Sequence, residues 1–281
     1  MAIAGCGRPT TEETPAQLQN GDAVAAAAPV ATPTPTPTPD PLQKYRAIQE
    51  VPVWAQRRVI NDVPIKPGQK LFALTFDDGP WPESTEEILH ILDSYDAKAT
   101  FYMVGQMVRT YPKIARKVRD GGHSIGNHSW SHPSRPRNAV AEVQKTDAEI
   151  KKAVGVLPSS FRPPYGMLKN GLARQANREK MPVIIWSADS NDWRRPSAQT
   201  IANTVIRQAH PGGIALMHDG GGPRQNTVNA LPTIIRELQA RGYRLVTVPE
   251  LLKARYIAPP KPKKQTAPKA KTAPKKKITA P

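Results

Sequence analysis

His128 and His132 stand four residues apart in the segment HSWSH. On a helical turn this spacing sets both imidazoles on one side, where they can grip a single cation. A catalytic metal site with an open position takes a third ligand, and a carboxylate is the usual complement to two histidines. Asp77 or Asp78, adjacent in TFDDGP, can supply it. Neighbouring residues leaving a strand point in different directions, so one aspartate can ligate while the other stays free as a base. Spacing alone does not assign the two roles. Taken singly, these patterns are also those of surface histidines and of an ordinary Asp-Asp-Gly turn. Their joint occurrence favours a site.

Other polar residues recur at one structural place, just after or at the end of a short apolar run. Asp77 and Asp78 follow Leu71–Phe76, the two histidines follow His123–Gly126, and Arg162 ends Ser159–Arg162. Asp189 and Asp192 follow Pro182–Trp186, and His218 follows Gly213–Met217. With Ala99–Val104 and Arg244–Val248 these runs predict seven strands. Helices are expected between them. The first opens at Ser84, where Ile88, Ile91, Leu92 and Tyr95 recur at helical spacing and Ser84 with Glu87 fits a capping box. The others are Tyr111–Asp120, Ala139–Val154, Asn170–Lys180, Ser197–His210 and Thr227–Arg241. Such alternation implies a parallel α/β architecture, either an open sheet or a barrel. In a parallel barrel the loops at the strand C-termini carry the chemistry, because they vary without disturbing the packed core.

The 281 residues include 31 prolines and 18 glycines, with 38% hydrophobic residues, which reads as a globular core diluted by flanks that cannot fold alone. Residues 1–45 are expected to be a disordered Ala/Thr/Pro-rich spacer, with the Thr-Pro alternation from Thr32 to Pro39 extended as polyproline II. Residues 46–258 are expected to form the catalytic domain. Residues 259–281 carry eight lysines and no acid, a disordered tail suited to polyanions such as membrane headgroups or wall polymers. The tail has no aromatic residue. It therefore lacks the stacking platforms of a single-strand nucleic-acid binder, and nucleic acid is not an expected partner. A single cysteine, Cys6, excludes a disulfide scaffold. No apolar run approaches the roughly 20 residues that span a bilayer.

Together, Thr75–Pro80 (TFDDGP), His128–His132 (HSWSH), Arg162–Gly166 (RPPYG), Asp189–Trp193 (DSNDW) and Leu216–Asp219 (LMHD) resemble the five ordered motifs of the polysaccharide deacetylases, carbohydrate esterase family 4, with the NodB-homology domain. The resemblance covers roughly Leu71 to Leu252 and leaves no key residue replaced. It implies a distorted (β/α) barrel and metal-dependent removal of N-acetyl, or sometimes O-acetyl, groups from polysaccharides. By motif position it implies Asp78, His128 and His132 as ligands of one divalent ion, commonly zinc, with cobalt or others able to substitute. Asp77 is then the general base and His218 the general acid, with Arg162 orienting Asp77 and Asp192 pairing with His218. Tyr165 contributes a backbone N–H to the oxyanion, and Trp193 and Leu216 shape the acetyl pocket.

The expected activity is hydrolysis of N-acetyl groups on an N-acetylglucosamine polymer, peptidoglycan first, by a monomer. Chitin oligomers or acetylated xylan are alternative substrates. A small cyclic amide fits the motif set less well, and a noncatalytic envelope glycan binder is the reading from another class. Ile3-Ala4-Gly5-Cys6 resembles a bacterial lipobox, although only five residues precede the cysteine. The expectation is an extracytoplasmic envelope protein lipid-anchored through Cys6, with a start upstream of Met1. Trp186 is expected in the core; Asp189 reads equally as a loop-capping or a functional residue and is not placed among the site residues; the direction of Trp130 is left open.

Overall fold

The computed structural model describes residues 40–258. Cys6, the Thr-Pro run and the Lys-rich segment lie outside the described residues. In chain order the strands are β1 (Val59–Ile60), β2 (Leu71–Asp77), β3 (Ala99–Met103), β4 (Ser124–Asn127), β5 (Val183–Ile184), β6 (Ala188–Asp189), β7 (Ile214–His218) and β8 (Arg244–Leu245). The helices are α1 (Gln43–Gln49), α2 (Ser84–Ser94), α3 (Gly105–Thr110), α4 (Pro112–Asp120), α5 (Ala139–Val154), α6 (Leu172–Arg178), α7 (Ala198–Gln208), α8 (Gln225–Ala240) and α9 (Val248–Lys253). None is long and apolar enough to cross a membrane. Helix α1 straddles the expected boundary at 45/46, and Gln49 accepts hydrogen bonds from Ser124 Oγ and Ile125 N of β4.

All named strands pair in parallel, with the continuous order β4-β3-β2-β7-β6. Beyond β4 the row runs on through single parallel bridges, Asn127 to Phe161 and Phe161 to Val183, to β5 and then β1. β1 is the far end of this row, and the segment after it returns to the β7 side, Asp62 bridging Gly213 and Val63 N donating to Gly212 O, so the sheet closes on itself. The barrel is distorted at β8. Leu71 and Ala73 bond to Gly212 and Gly213 beside β7, whereas Lys70 and Phe72 accept from Arg244 and Val246 on the edge that β3 occupies farther along. β8 therefore wedges in below β3.

Strand alternation sorts the side chains. Phe72, Leu74 and Phe76 pack outward against Ile201 and Val205 of α7 and Leu231 and Ile234 of α8. Leu71 and Ala73 point inward, where Ile184, Ile214, Leu251 and Leu252 close the barrel floor. Above them Thr75 and Asp77 continue the same inward face as a buried polar layer.

Several expectations change. The run 159–162 is a single bridge at Phe161, while β1 and β6, two residues each, are too short to show a period. Arg244–Val248 stops at Leu245, because Thr247 caps α9 by accepting from Glu250 N. The Ser84/Glu87 capping box does not form. Glu83 holds the cap position at φ 69°, and Ser84 Oγ donates instead to Asp219 O at 2.6 Å. Helix α5 keeps its expected bounds because both ends are chemically marked, by Asn138 accepting from Ala141 N and by Gly155 at φ 79°.

Candidate active site

The C-terminal ends of β2, β4 and β7 open into one cavity of about 380 Å³ lined by Asp77, Asp78, His128, His132, Tyr165, Trp193, Leu216 and His218 among others. Eight of the ten expected site residues thus meet on its wall. Arg162 lies beneath it and Asp192 behind it.

The two histidines do not sit on a helical turn, which corrects the expectation from their spacing. They lie in the loop after β4, where Ser129 at φ 67° and His132 at φ 54° fold the chain back so that the rings stand 4.9 Å apart. Polar contacts hold this loop. Asn127 Oδ1 accepts from Ser129 N, Ser129 Oγ accepts from His132 N, and the Glu142 carboxylate of α5 accepts from Trp130 N, Ser131 N and Ser131 Oγ. His128 Nδ1 must donate to the Arg162 carbonyl at 2.7 Å, since that oxygen only accepts, which leaves Nε2 as a free lone pair. Burial, then the neighbouring His132, lowers the His128 pKa to about 3, so the ring is neutral and able to ligate.

Asp78 Oδ1 lies 3.6 Å from His128 Nε2 and 3.4 Å from His132 Nε2. Tetrahedral bonds of about 2.0–2.2 Å place donor atoms roughly 3.4 Å apart, so one small divalent cation fits this triangle. Asp78 turns its carboxylate toward the histidines through a left-handed backbone, φ 77°, while Asp77 remains in the strand. Gly79 follows because nothing larger fits: a Cβ there would stand 2.1 Å from Asp219 Oδ2. Asp219 in turn accepts from Gly79 N and Thr85 Oγ1. Burial, against the pull of Thr85 and with the charges of Asp78 and Asp77 behind it, raises the Asp219 pKa to about 7.

Arg162 fills the barrel. It has no exposed surface, and it donates from Nη1 to Asp77 Oδ1 at 2.8 Å and Thr75 Oγ1 at 2.6 Å, from Nε to Ile184 O and from Nη2 to Ile185 O. Its guanidinium lies 4.1 Å from the Tyr102 ring centroid. Burial raises the Asp77 pKa even against the opposing charge of Arg162. Across the cavity His218 Nδ1 donates to Asp192 Oδ1 at 2.7 Å, and Asp192 Oδ2 accepts from His218 N and Thr227 Oγ1. Burial opposes the imidazolium, but the hydrogen bond and charge of Asp192 outweigh it and raise the His218 pKa.

Trp186 is not a core residue: it is half-buried and lines the cavity, because the strand ends at Ile184 and the chain turns across the barrel mouth. Trp130 is absent from the cavity wall and packs by its ring on Gly105 of α3. Asp189 does make a capping contact, accepting from Asn191 N, though it also borders the cavity. Sequence reasoning passed over Asp219, Glu142 and Arg224; the first stood in a quoted motif without a role, and the other two carried no signal.

A sequence profile of the polysaccharide deacetylase domain matches residues 65–184. A peptidoglycan-N-acetylglucosamine deacetylase of Bacillus cereus is 37% identical over 193 residues, covering 67% of this chain and 91% of the relative. The chain belongs to the polysaccharide deacetylase family. Another member, the peptidoglycan-N-acetylmuramic acid deacetylase PdaC of Bacillus subtilis, is 40% identical over 191 residues, 66% of this chain and 40% of that longer protein. The crystal structure of the Bc1960 peptidoglycan N-acetylglucosamine deacetylase superposes with a TM-score of 0.66 at 33% identity, over 73% of this chain and 97% of that one.

Proposed function

We propose that this deacetylase hydrolyses N-acetyl groups on N-acetylglucosamine residues of peptidoglycan, at the cell envelope. The carrying observation is the triangle of Asp78, His128 and His132 between a buried carboxylate, Asp77, and an imidazole held by a second carboxylate, His218. The peptidoglycan-directed relatives support the polymer. On this reading Cys6 is the lipid attachment point and the Lys-rich segment an anionic-surface contact.

Asp78, His128 and His132 would hold a divalent cation, zinc by the donor set, which when bound would supply Lewis-acid polarisation of the acetamide carbonyl and a lowered pKa for water. Asp77 is the general base, positioned by Arg162 at 2.8 Å. Tyr165, held at φ 57°, offers its backbone N–H to the developing oxyanion, an interaction stronger in the tetrahedral state than with the planar amide. Trp193 and Leu216 bound the space for the acetyl methyl. An amine leaves only when protonated, and His218, kept as imidazolium by Asp192, delivers that proton.

Acetate release from purified peptidoglycan and from chitin oligomers, with and without a chelator, tests this. Release from peptidoglycan should stop on chelation and return with zinc or cobalt. Asp77→Asn should lower kcat about 10²–10⁴-fold. Its fold should persist at a reduced melting temperature, since Asn still accepts from Arg162 but leaves that buried charge unpaired. Undiminished turnover in Asp77→Asn would overturn the base assignment, and turnover immune to chelation would overturn the metal.

A further inference from the structure

His218 and Asp78 stand at the ends of neighbouring strands, β7 and β2, and the residue after His218 ties the two ends together. Asp219 is 1% exposed, and its carboxylate faces the turn that follows Asp78: Oδ1 accepts from Gly79 N at 3.1 Å and Oδ2 accepts from Thr85 Oγ1 at 2.6 Å. Its backbone is held as closely. Asp219 N donates to Asp77 O at 3.0 Å, Gly220 N donates to the same oxygen at 3.3 Å, and Ser84 Oγ donates to Asp219 O at 2.6 Å. Thr85 Oγ1 also accepts from Trp81 N at 2.8 Å, so the first turn of α2 reaches both Asp219 and the chain leaving the Asp-Asp-Gly turn. The next two residues press on Asp78 itself. A Cβ at Gly220 would stand 2.4 Å from Asp78 O, and one at Gly221 2.6 Å from Asp78 Oδ2. Asp78 thus has Oδ1 toward the histidines and Oδ2 against Gly221.

The left-handed backbone of Asp78, φ 77°, is sparsely populated by residues with a side chain and persists only where its surroundings over-determine it. A hydrogen bond from the following N–H to a buried carboxylate is stronger than one to a neutral acceptor, and it fixes the peptide that joins Asp78 to Gly79. Rotation of that peptide would swing Oδ1 away from the Nε2 atoms of His128 and His132. We propose that Asp219 is a positioning residue for the metal: its carboxylate holds the Asp78–Gly79 turn in the conformation that presents Asp78 Oδ1 to the cation. It does not line the cavity, so it acts through Asp78 and not on substrate. The inference rests on the reading of Asp78, His128 and His132 as the metal site and deepens it, assigning a share of the metal affinity to a residue that is no ligand.

The test is the zinc affinity of the full chain, measured by competition with a chromophoric chelator, with the visible spectrum of the cobalt-loaded protein as a second readout. Asp219→Ala should lower zinc affinity about 10–100-fold, as for other partners that orient ligands, and should alter the cobalt spectrum because Asp78 is displaced. Asp219→Asn keeps an oxygen for Gly79 N, and the Thr85 hydroxyl, which already accepts from Trp81 N, has a second lone pair for the new amide. Its affinity and spectrum should stay close to the parent's. A fall as deep in Asp219→Asn as in Asp219→Ala would show that negative charge alone matters and would overturn the positioning role. Parent affinity in folded Asp219→Ala overturns it as well, whatever the loss in melting temperature. Where Asp219→Ala does not fold, Thr85→Val releases Oδ2 while the carboxylate stays; affinity below the parent's is expected, and equal affinity overturns the proposal. A parent chain that binds no zinc sinks the metal reading itself, and the inference with it.

Discussion

At the residue scale the cavity holds two carboxylate-centred pairs with opposite electrostatics. Asp77 is raised by burial despite Arg162, whereas burial would raise Asp192 but its hydrogen bonds with His218 and Thr227 lower it. The pair at Asp192 therefore keeps His218 protonated above its ordinary value of 6.5. A general acid loses activity as pH rises through its pKa, so with His218 in the proposed role the alkaline limb of the kcat profile should report on it. In Asp192→Asn the hydrogen bond to a charged carboxylate, the main influence raising the His218 pKa, is lost, so the pKa drops and that limb should move to lower pH. A limb that stays in place would mean another group donates the proton. Stability follows the same pair. Its contribution is complete below pH 6.5 and fades as pH rises through the raised His218 pKa; it also fades on the acid side, as pH falls from 3.8 through the lowered Asp192 pKa. The melting-temperature gap between the parent and Asp192→Asn should be widest between those limits. The pairing partners were legible because their motifs lie in order along the chain. The directions of the shifts were not, since they depend on how much water the fold excludes.

At the element scale the decisive piece is the loop from His128 to His132. Its histidines were identified from spacing for a reason that does not apply, because the loop is no helix; two left-handed residues do the work a helical turn would have done. Left-handed backbone at Ser129 and His132 is held against its intrinsic cost by contacts from outside the loop. Glu142, in the first turn of α5, accepts from two of its backbone N–H groups. Glu142→Ala should leave α5 intact, because the Asn138 cap is untouched. Affinity for zinc, measured by competition with a chromophoric chelator, should fall about 10–100-fold, as for other partners that orient ligands. Affinity equal to the parent's would show that the sheet alone positions the histidines. No short pattern joins Glu142 to HSWSH, since the contact is made by α5 packing back on β4. The same holds for Trp186, whose apolar neighbours read as core until the strand was seen to end two residues earlier.

At the scale of the whole molecule, charge is distributed by region. Removing residues 259–281 takes away eight lysines and no acid, lowering the formal charge from +17 to +9. Retention on anionic vesicles or wall fragments should fall and lose most of its salt dependence, while turnover of a soluble neutral oligosaccharide changes little. Turnover of that small substrate falling as steeply as retention would place the segment in the catalytic step. The amino-acid sequence by itself determined the parallel β/α alternation, the loops that carry the chemistry and the residues that gather there, because hydrophobic period and strand-end placement are local properties of the chain. Only the tertiary structure decided that the row of strands closes, where the segment after β1 meets Gly212 and Gly213 beside β7, and that Arg162 fills the closed barrel to meet Asp77. It also brought Asp219 against Gly79. Those outcomes depend on which distant segments exclude water from one another, and that is settled only when the sheet has curled and its interior has been filled.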